Sequence, residues 1–186
     1  MKIMNTRQLL RALEPLSAKT VGVYAADRIP NVMEHPTAII ANTDDHTRRG
    51  THWIAIYIDA NGYGTYFDSY GLPPISQHHV KRLKRNCIRY QWNKQKLQSI
   101  DSQVCGQYCV MFLYHMVNLS NLRTFCHKFS RDSRKNDALA VAFYKKLLRN
   151  KNNRVRLRNV KKFGSEHSLG SGFCNQTCTS RMSLNY

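Results

Sequence analysis

A histidine, a carboxylate, an amide and a thiol follow one another along the chain as His52, Asp68, Gln98 and Cys105. A thiol nucleophile needs a lowered pKa, a base that is itself oriented, and hydrogen-bond donors for the oxyanion it creates. The stretch "DSQVCGQYC" (101–109) puts Cys105 before Gly106 at the head of an apolar run. At a helix N-terminus there, free N–H groups and the macrodipole would favour a thiolate. Gly106, lacking a Cβ, is expected to let a substrate backbone come close. Gln98, seven residues earlier, offers an amide N–H beside the Cys105 backbone N–H. Gln103 competes for that role but lies only two residues from the thiol.

These groups can act together only if secondary structure gathers them. "HWIAIYID" (52–59) reads as a strand buried on both faces, and "YGTYFD" (63–68) as its hairpin partner. A two-residue Asn61-Gly62 turn would set Asp68 opposite Ala55, facing away from His52. A three-residue loop, Ala60-Asn61-Gly62 with Gly62 left-handed, sets Asp68 opposite Ile54 and diagonal to His52. The three-residue loop is therefore predicted.

Around this hairpin, "TRQLLRALEPL" (6–16) reads as an amphipathic helix with Leu9, Leu10 and Leu13 on one side. "VGVYAADRIP" (21–30) is a short apolar run ending at a proline, and "PTAIIANT" (36–43) reads as a buried strand. "SQHHVKRLKRN" (76–86) is a basic helix candidate, and "CIRYQW" (87–92) a strand candidate. Residues 105–119 form the strongest apolar helix, with Cys109, Phe112, Leu113 and Met116 at helical spacing. A further helix is expected over 136–149.

The chain has 186 residues, of which 42% are hydrophobic, enough for one domain with a substantial core. It carries 29 Lys+Arg against 11 Asp+Glu, a net +18. Such an excess favours contact with phosphates, most simply nucleic acid, through a largely sequence-blind attraction. No segment approaches the ~18–20 apolar residues of a membrane span, and the N-terminus lacks a signal-peptide pattern. An intracellular, reducing setting is expected, in which six cysteines are free thiols, ligands or nucleophiles rather than a disulfide framework.

The motifs "GVYAADRIP", "IIANT…GTHWIAIYID", "YFDSYGLPP", "LQSIDSQVCGQYC" and "KFSRDSRKND" together resemble the adenovirus-type (adenain-like) cysteine proteases. They look closest to those of the Maverick/Polinton and adintovirus group, related in turn to the ubiquitin-like-protein (SUMO) proteases. The resemblance covers residues 6–149. It implies Cys105 as nucleophile, His52 as general base, Asp68 as orienting acid, Gln98 as oxyanion donor and Trp53 as the tryptophan beside the base. Adenovirus enzymes carry Glu where Asp68 stands, as element-encoded and SUMO proteases do not. SUMO proteases usually carry Asp before the nucleophile, where this chain has Val104, and a Gln one residue nearer to it. The viral branch is thereby favoured.

The implied fold is α+β, of papain-like or ubiquitin-like-protease type: a central, mainly antiparallel sheet flanked by helices, with the nucleophile at a helix N-terminus. The implied function is cleavage of viral or mobile-element precursor (capsid) proteins after small residues such as Gly, by a monomer in the host nucleus or the virion. A SUMO-type deconjugating protease and a basic nucleic-acid-binding domain with an inactive site are the alternatives. No cofactor is required for the chemistry, but the resemblance raises DNA as an activator and Cys87 as the attachment point of an activating peptide. A buried strand position is the plainer reading of Cys87.

Three segments are expected: a protease domain over 1–149, a basic segment over 150–163 and a disordered tail over 164–186. "RNKNNRVRLRNVKK" (149–162) holds seven basic residues and no acid. It is a solvated face first and a nucleic-acid contact through Arg154, Arg156, Arg158, Lys161 and Lys162 second. Asp44 and Asp45 read as turn formers, Cys109 as core, and the remaining histidines as structural or surface groups. His167, Cys174 and Cys178 offer no full set of four zinc ligands, so no metal is expected.

Overall fold

The computed structural model describes residues 3–118 and 121–166, with side chains as far as residue 150. Five strands form one sheet in the order β1 (Thr20–Tyr24), β2 (Thr37–Asn42), β3 (Trp53–Ile58), β4 (Tyr63–Phe67) and β5 (Arg89–Trp92). The two central pairings are antiparallel, β2 with β3 and β3 with β4. Both outer pairings are parallel, so the sheet is mixed rather than mainly antiparallel. Parallel neighbours need a crossover of a dozen residues or more. Residues 25–36, which include a 3₁₀ turn at Ala26–Arg28, supply one, and α2 (Gln77–Asn86) supplies the other.

Alternation along the strands divides two cores. Ala38, Ile40, Trp53, Ala55 and Phe67 face α1 (Thr6–Leu13) and α3 (Cys105–Val117). Ile39, Ile54, Ile56 and Tyr66 face Leu83 of α2. Each of these isoleucines is fully buried, worth about 1.5–3 kcal/mol apiece on the transfer scale. Helices on both sides explain why β2 and β3 read as unbroken apolar runs.

α3 is the central helix. Residues from Cys105 to Leu113 are all buried, not one stripe of them. Phe112 stacks on Phe67 at 4.6 Å, and Phe125 meets both edge-on. Phe125 belongs to α4 (Leu122–Cys126), a five-residue helix capped by the Asn121 side chain, which the sequence reading did not foresee. In α1 the buried face is Leu9, Ala12 and Leu13, whereas Leu10 is exposed, contrary to expectation.

The final helix, α5 (Ser133–Glu166), starts earlier and runs further than expected, carrying helical backbone through the basic run. One compact unit ends at Leu148. Residues 167–186, most of the expected tail, lie outside the described residues. Among the described residues no helix is long and apolar enough to cross a membrane.

Candidate active site

The β3–β4 hairpin sets the geometry. Ala55 pairs with Phe67, and the register continues to Ile58 opposite Gly64. Asp59 N–H donates to Tyr63 O at 3.1 Å, leaving Ala60, Asn61 and Gly62 as the loop. Gly62 sits at φ +82°, where a side chain would strain the backbone. The Asp59 carboxylate accepts from the N–H groups of Asn61 and Tyr63, locking the turn. This is the predicted three-residue loop, and continuing the register puts Asp68 opposite Ile54.

His52 Nε2 lies 3.0 Å from Asp68 Oδ1. The Asp68 side chain is only 4% exposed and that of His52 16%. Burial by itself would lower the imidazole pKa. Hydrogen bonds from the ring to Asp68 and to Cys105, with the negative charge of both, overcome it and raise His52 to about 9. With Nε2 on the carboxylate, Nδ1 is the ring nitrogen that remains.

Cys105 is the first residue of α3 and is 3% exposed. Val104 occupies the N-cap and has no side-chain acceptor, so no side chain caps the first-turn N–H groups. Gly106 does not open a path for substrate, as its composition suggested. Leu9 and Met4 atoms lie 3.2 Å from where its Cβ would stand, so its role is close packing of α3 against the N-terminal segment.

Gln98 is 1% exposed. Its Oε1 accepts from Ser69 Oγ at 2.7 Å, and its Nε2 donates to Ser102 O at 2.9 Å and to Tyr70 OH at 3.2 Å. Gln103 instead lines a separate cleft of about 640 Å³ together with Trp53, Met4, Arg48 and Arg49. Trp53 is buried, its indole N–H donating to Met4 O at 2.9 Å.

Three residues of this arrangement were not singled out from sequence. Tyr70 lays its ring against His52 with centroids 5.0 Å apart, and its N–H donates to Asp68 Oδ1 at 2.7 Å. Ser69 orients Gln98 by side chain and holds it by backbone, its carbonyl accepting the Gln98 N–H at 3.0 Å. Asn93 clamps the acid, accepting the Asp68 N–H at 2.9 Å and donating to the Asp68 carbonyl. The signal was present in "FDSYG": the acid is followed at once by residues whose backbone must turn around it.

The remaining candidates are placed as follows. Cys109 is fully buried and its thiol donates to the Trp53 carbonyl, as core filling should. Cys87 ends α2 rather than lying within β5 and is half-buried. Burial, with Asp59 adding to it, pushes its pKa up to about 11. Asp44 and Asp45 bond loop groups at Thr51 and Thr47, as turn formers do. Arg154, Arg156, Arg158, Lys161 and Lys162 lie on helical backbone, with their side chains outside the described residues. No cluster of His, Cys, Asp or Glu suited to a metal ion occurs among the described residues. His167, Cys174 and Cys178 fall outside them.

The sequence profile of the adenovirus endoprotease family matches residues 21–159. The chain belongs to that family. It is 32% identical over 91 residues to a thiol protease of Acanthamoeba polyphaga mimivirus, covering 44% of this chain and 30% of that one. It is 34% identical over 92 residues to the protease of Bovine adenovirus 4, covering 42% and 45%. The chain thus spans less than half the length of these two relatives. The crystal structure of the ASFV protease shares the fold, with TM-score 0.52 and 15% identity over 73% of this chain and 64% of that one.

Proposed function

We propose that this adenovirus endoprotease relative is a cysteine endopeptidase in which Cys105, His52 and Asp68 form the triad and Gln98 holds the oxyanion. The observation that carries this reading is the His52 ring, bonded to the buried Asp68 at 3.0 Å and raised in pKa by Asp68 and Cys105 together. His52 takes the thiol proton, and the thiolate attacks the scissile carbonyl carbon. The electron pair moves to the carbonyl oxygen, where Gln98 Nε2–H and the Cys105 N–H receive it. Collapse of the tetrahedral species breaks the C–N bond as His52 protonates the leaving amine. Water, deprotonated by His52, then hydrolyses the thioester and restores the thiol.

The Gln98 amide already uses both of its protons, on Ser102 O and Tyr70 OH. The longer bond, at 3.2 Å, is the one an oxyanion would replace. Resemblance to the adenovirus-type enzymes supports precursor proteins as substrates and cleavage after small residues such as Gly. The acid-free basic run supports DNA as an activator.

The test is cleavage of a glycine-containing peptide panel and of precursor protein by wild type and Cys105→Ala, with and without DNA. Activity is expected to vanish in the variant. Cleavage retained by Cys105→Ala would falsify the assignment, and labelling of Cys105 by a modifier-derived C-terminal probe would redirect it to deconjugation.

A further inference from the structure

The catalytic cleft does not end at the catalytic residues. A cleft of about 470 Å³ lined by His52, Asp68, Tyr70 and Leu72 extends to Ile75. Ile75 is also a wall of a second groove, of about 580 Å³, which runs along α2 past Val80, Lys81, Lys84 and Arg85. The two spaces therefore adjoin, with the exposed Ile75 side chain lining both.

The composition of this path is unusual for an idle surface. Ile75 is 73% exposed and Leu72 45%. Exposed apolar groups that adjoin one another mark contact sites, unlike the scattered ones any protein shows. The inward side of α2 is used structurally: His79 and Leu83 are buried, and Arg82 Nε donates to Ile29 O at 2.8 Å. The outward side carries cations without acids, since α2 contains no Asp or Glu. Lys81, Lys84 and Arg85 form no ion pair among the described residues.

An apolar floor with an uncompensated cationic rim fits one kind of occupant best: a polypeptide segment with an apolar anchor and acidic neighbours. Nucleic acid would satisfy the cations but not Ile75 and Leu72, and the groove offers no aromatic ring for base stacking. Because Ile75 also lines the cleft that holds His52, the segment is assigned to the polypeptide being cleaved.

Resting on the function proposed above, we propose that the α2 groove is a substrate exosite that binds an acidic, apolar-anchored segment flanking the scissile bond. Binding there tethers the substrate and raises its effective concentration at Cys105, so the effect falls on KM rather than kcat.

The test uses two fluorogenic peptides with one cleavable core, extended either by a segment rich in Asp and Glu with a central Leu or by a Ser/Gly segment of equal length. Wild type is expected to show a KM roughly tenfold lower for the acidic peptide, the scale that three partly screened surface charges supply. The triple variant Lys81→Glu/Lys84→Glu/Arg85→Glu should lose that preference while cleaving the Ser/Gly-extended peptide as wild type does, and 0.5 M salt should weaken it in wild type. Equal KM values for the two peptides in wild type would overturn the exosite.

A second readout does not depend on turnover. Fluorescence anisotropy of the labelled acidic peptide on Cys105→Ala should show binding that is lost in the charge-reversed triple variant and weakened by Ile75→Ser. If no peptide is cleaved at all, the proposed function fails and this binding still decides the exosite. Binding unaffected by the triple variant would sink it. So would displacement by a short DNA duplex whose own affinity is indifferent to Ile75→Ser, which would reassign the surface to nucleic acid.

Discussion

Ser69 Oγ donates to Gln98 Oε1 at 2.7 Å, across twenty-nine residues of sequence. That bond fixes which end of the amide faces the Tyr70 hydroxyl and so which end can meet an oxyanion. Gln98→Ala is expected to lower kcat by roughly 10²–10³-fold with little change in KM, the usual cost of one lost oxyanion donor. Ser69→Ala, which only frees the amide to turn, should cost less, and the double variant should be no worse than Gln98→Ala alone. A KM change in place of the kcat change would mean that Gln98 binds substrate rather than the oxyanion.

Asp68→Asn keeps the shape of the acid and removes its charge. Loss of the oriented base should reduce kcat/KM by about a hundredfold or more. The pH profile carries a sharper signature. In the proposed mechanism His52 must be protonated to release the amine, and in the folded protein it is raised from 6.5 to about 9. Activity should therefore fall as pH rises through about 9 in wild type, and at a distinctly lower pH in Asp68→Asn. An unmoved alkaline limb would show that Asp68 does not set the imidazole.

How much of this was readable in advance depends on how local the determinants are. The hairpin register was legible because strand alternation and one turn glycine decide it, and Asp68 followed from that count. The parallel outer strands were not, because pairing across a crossover depends on burial supplied by other elements. Asn93 escaped notice for a related reason, and Tyr70 for a different one. The Asn93 side chain reaches the Asp68 backbone across twenty-five residues, which only the closed fold allows, whereas the Tyr70 N–H turns onto Asp68 from two residues on and its signal was local. Gly106 was misread because a glycine after a candidate nucleophile suggests substrate access, whereas the neighbours that need the space, Met4 and Leu9, come from a distant segment.

Gly62→Ala tests the turn itself. An added Cβ would meet only ordinary contact with Ile88, at 3.4 Å, so the penalty comes from φ +82°. Destabilisation of roughly 1–2 kcal/mol is expected, with Gly62→Asn costing less, as urea midpoints will show. No loss in Gly62→Ala would mean that the loop relaxes into another turn.

His79 and His52 shift in opposite directions, so they bound stability from both sides. His79 is buried, and burial lowers its pKa from 6.5 to about 4 despite its bond to the Asn42 carbonyl. Between those values the unfolded chain binds the extra proton, so stability is present above 6.5 and is lost as pH falls toward 4, by roughly 3 kcal/mol in all. His52, raised to about 9, contributes stability fully present below 6.5 and lost as pH rises through 9. The urea midpoint should peak near pH 6.5. His79→Gln should flatten the acid side alone and His52→Ala the alkaline side alone; a profile unchanged by either variant would contradict the assignments.

The bond from the Trp53 indole to Met4 O has a practical consequence. Trp53 is one of two tryptophans in the chain, and it stands at the wall of a cleft shared with Met4 and Gln103. The other, Trp92, sits on the edge strand β5. Trp92→Phe would leave a single emitter, next in sequence to His52 and tied to Met4, whose spectrum reports whether the N-terminal segment stays docked, an optical gauge that needs neither turnover nor a label.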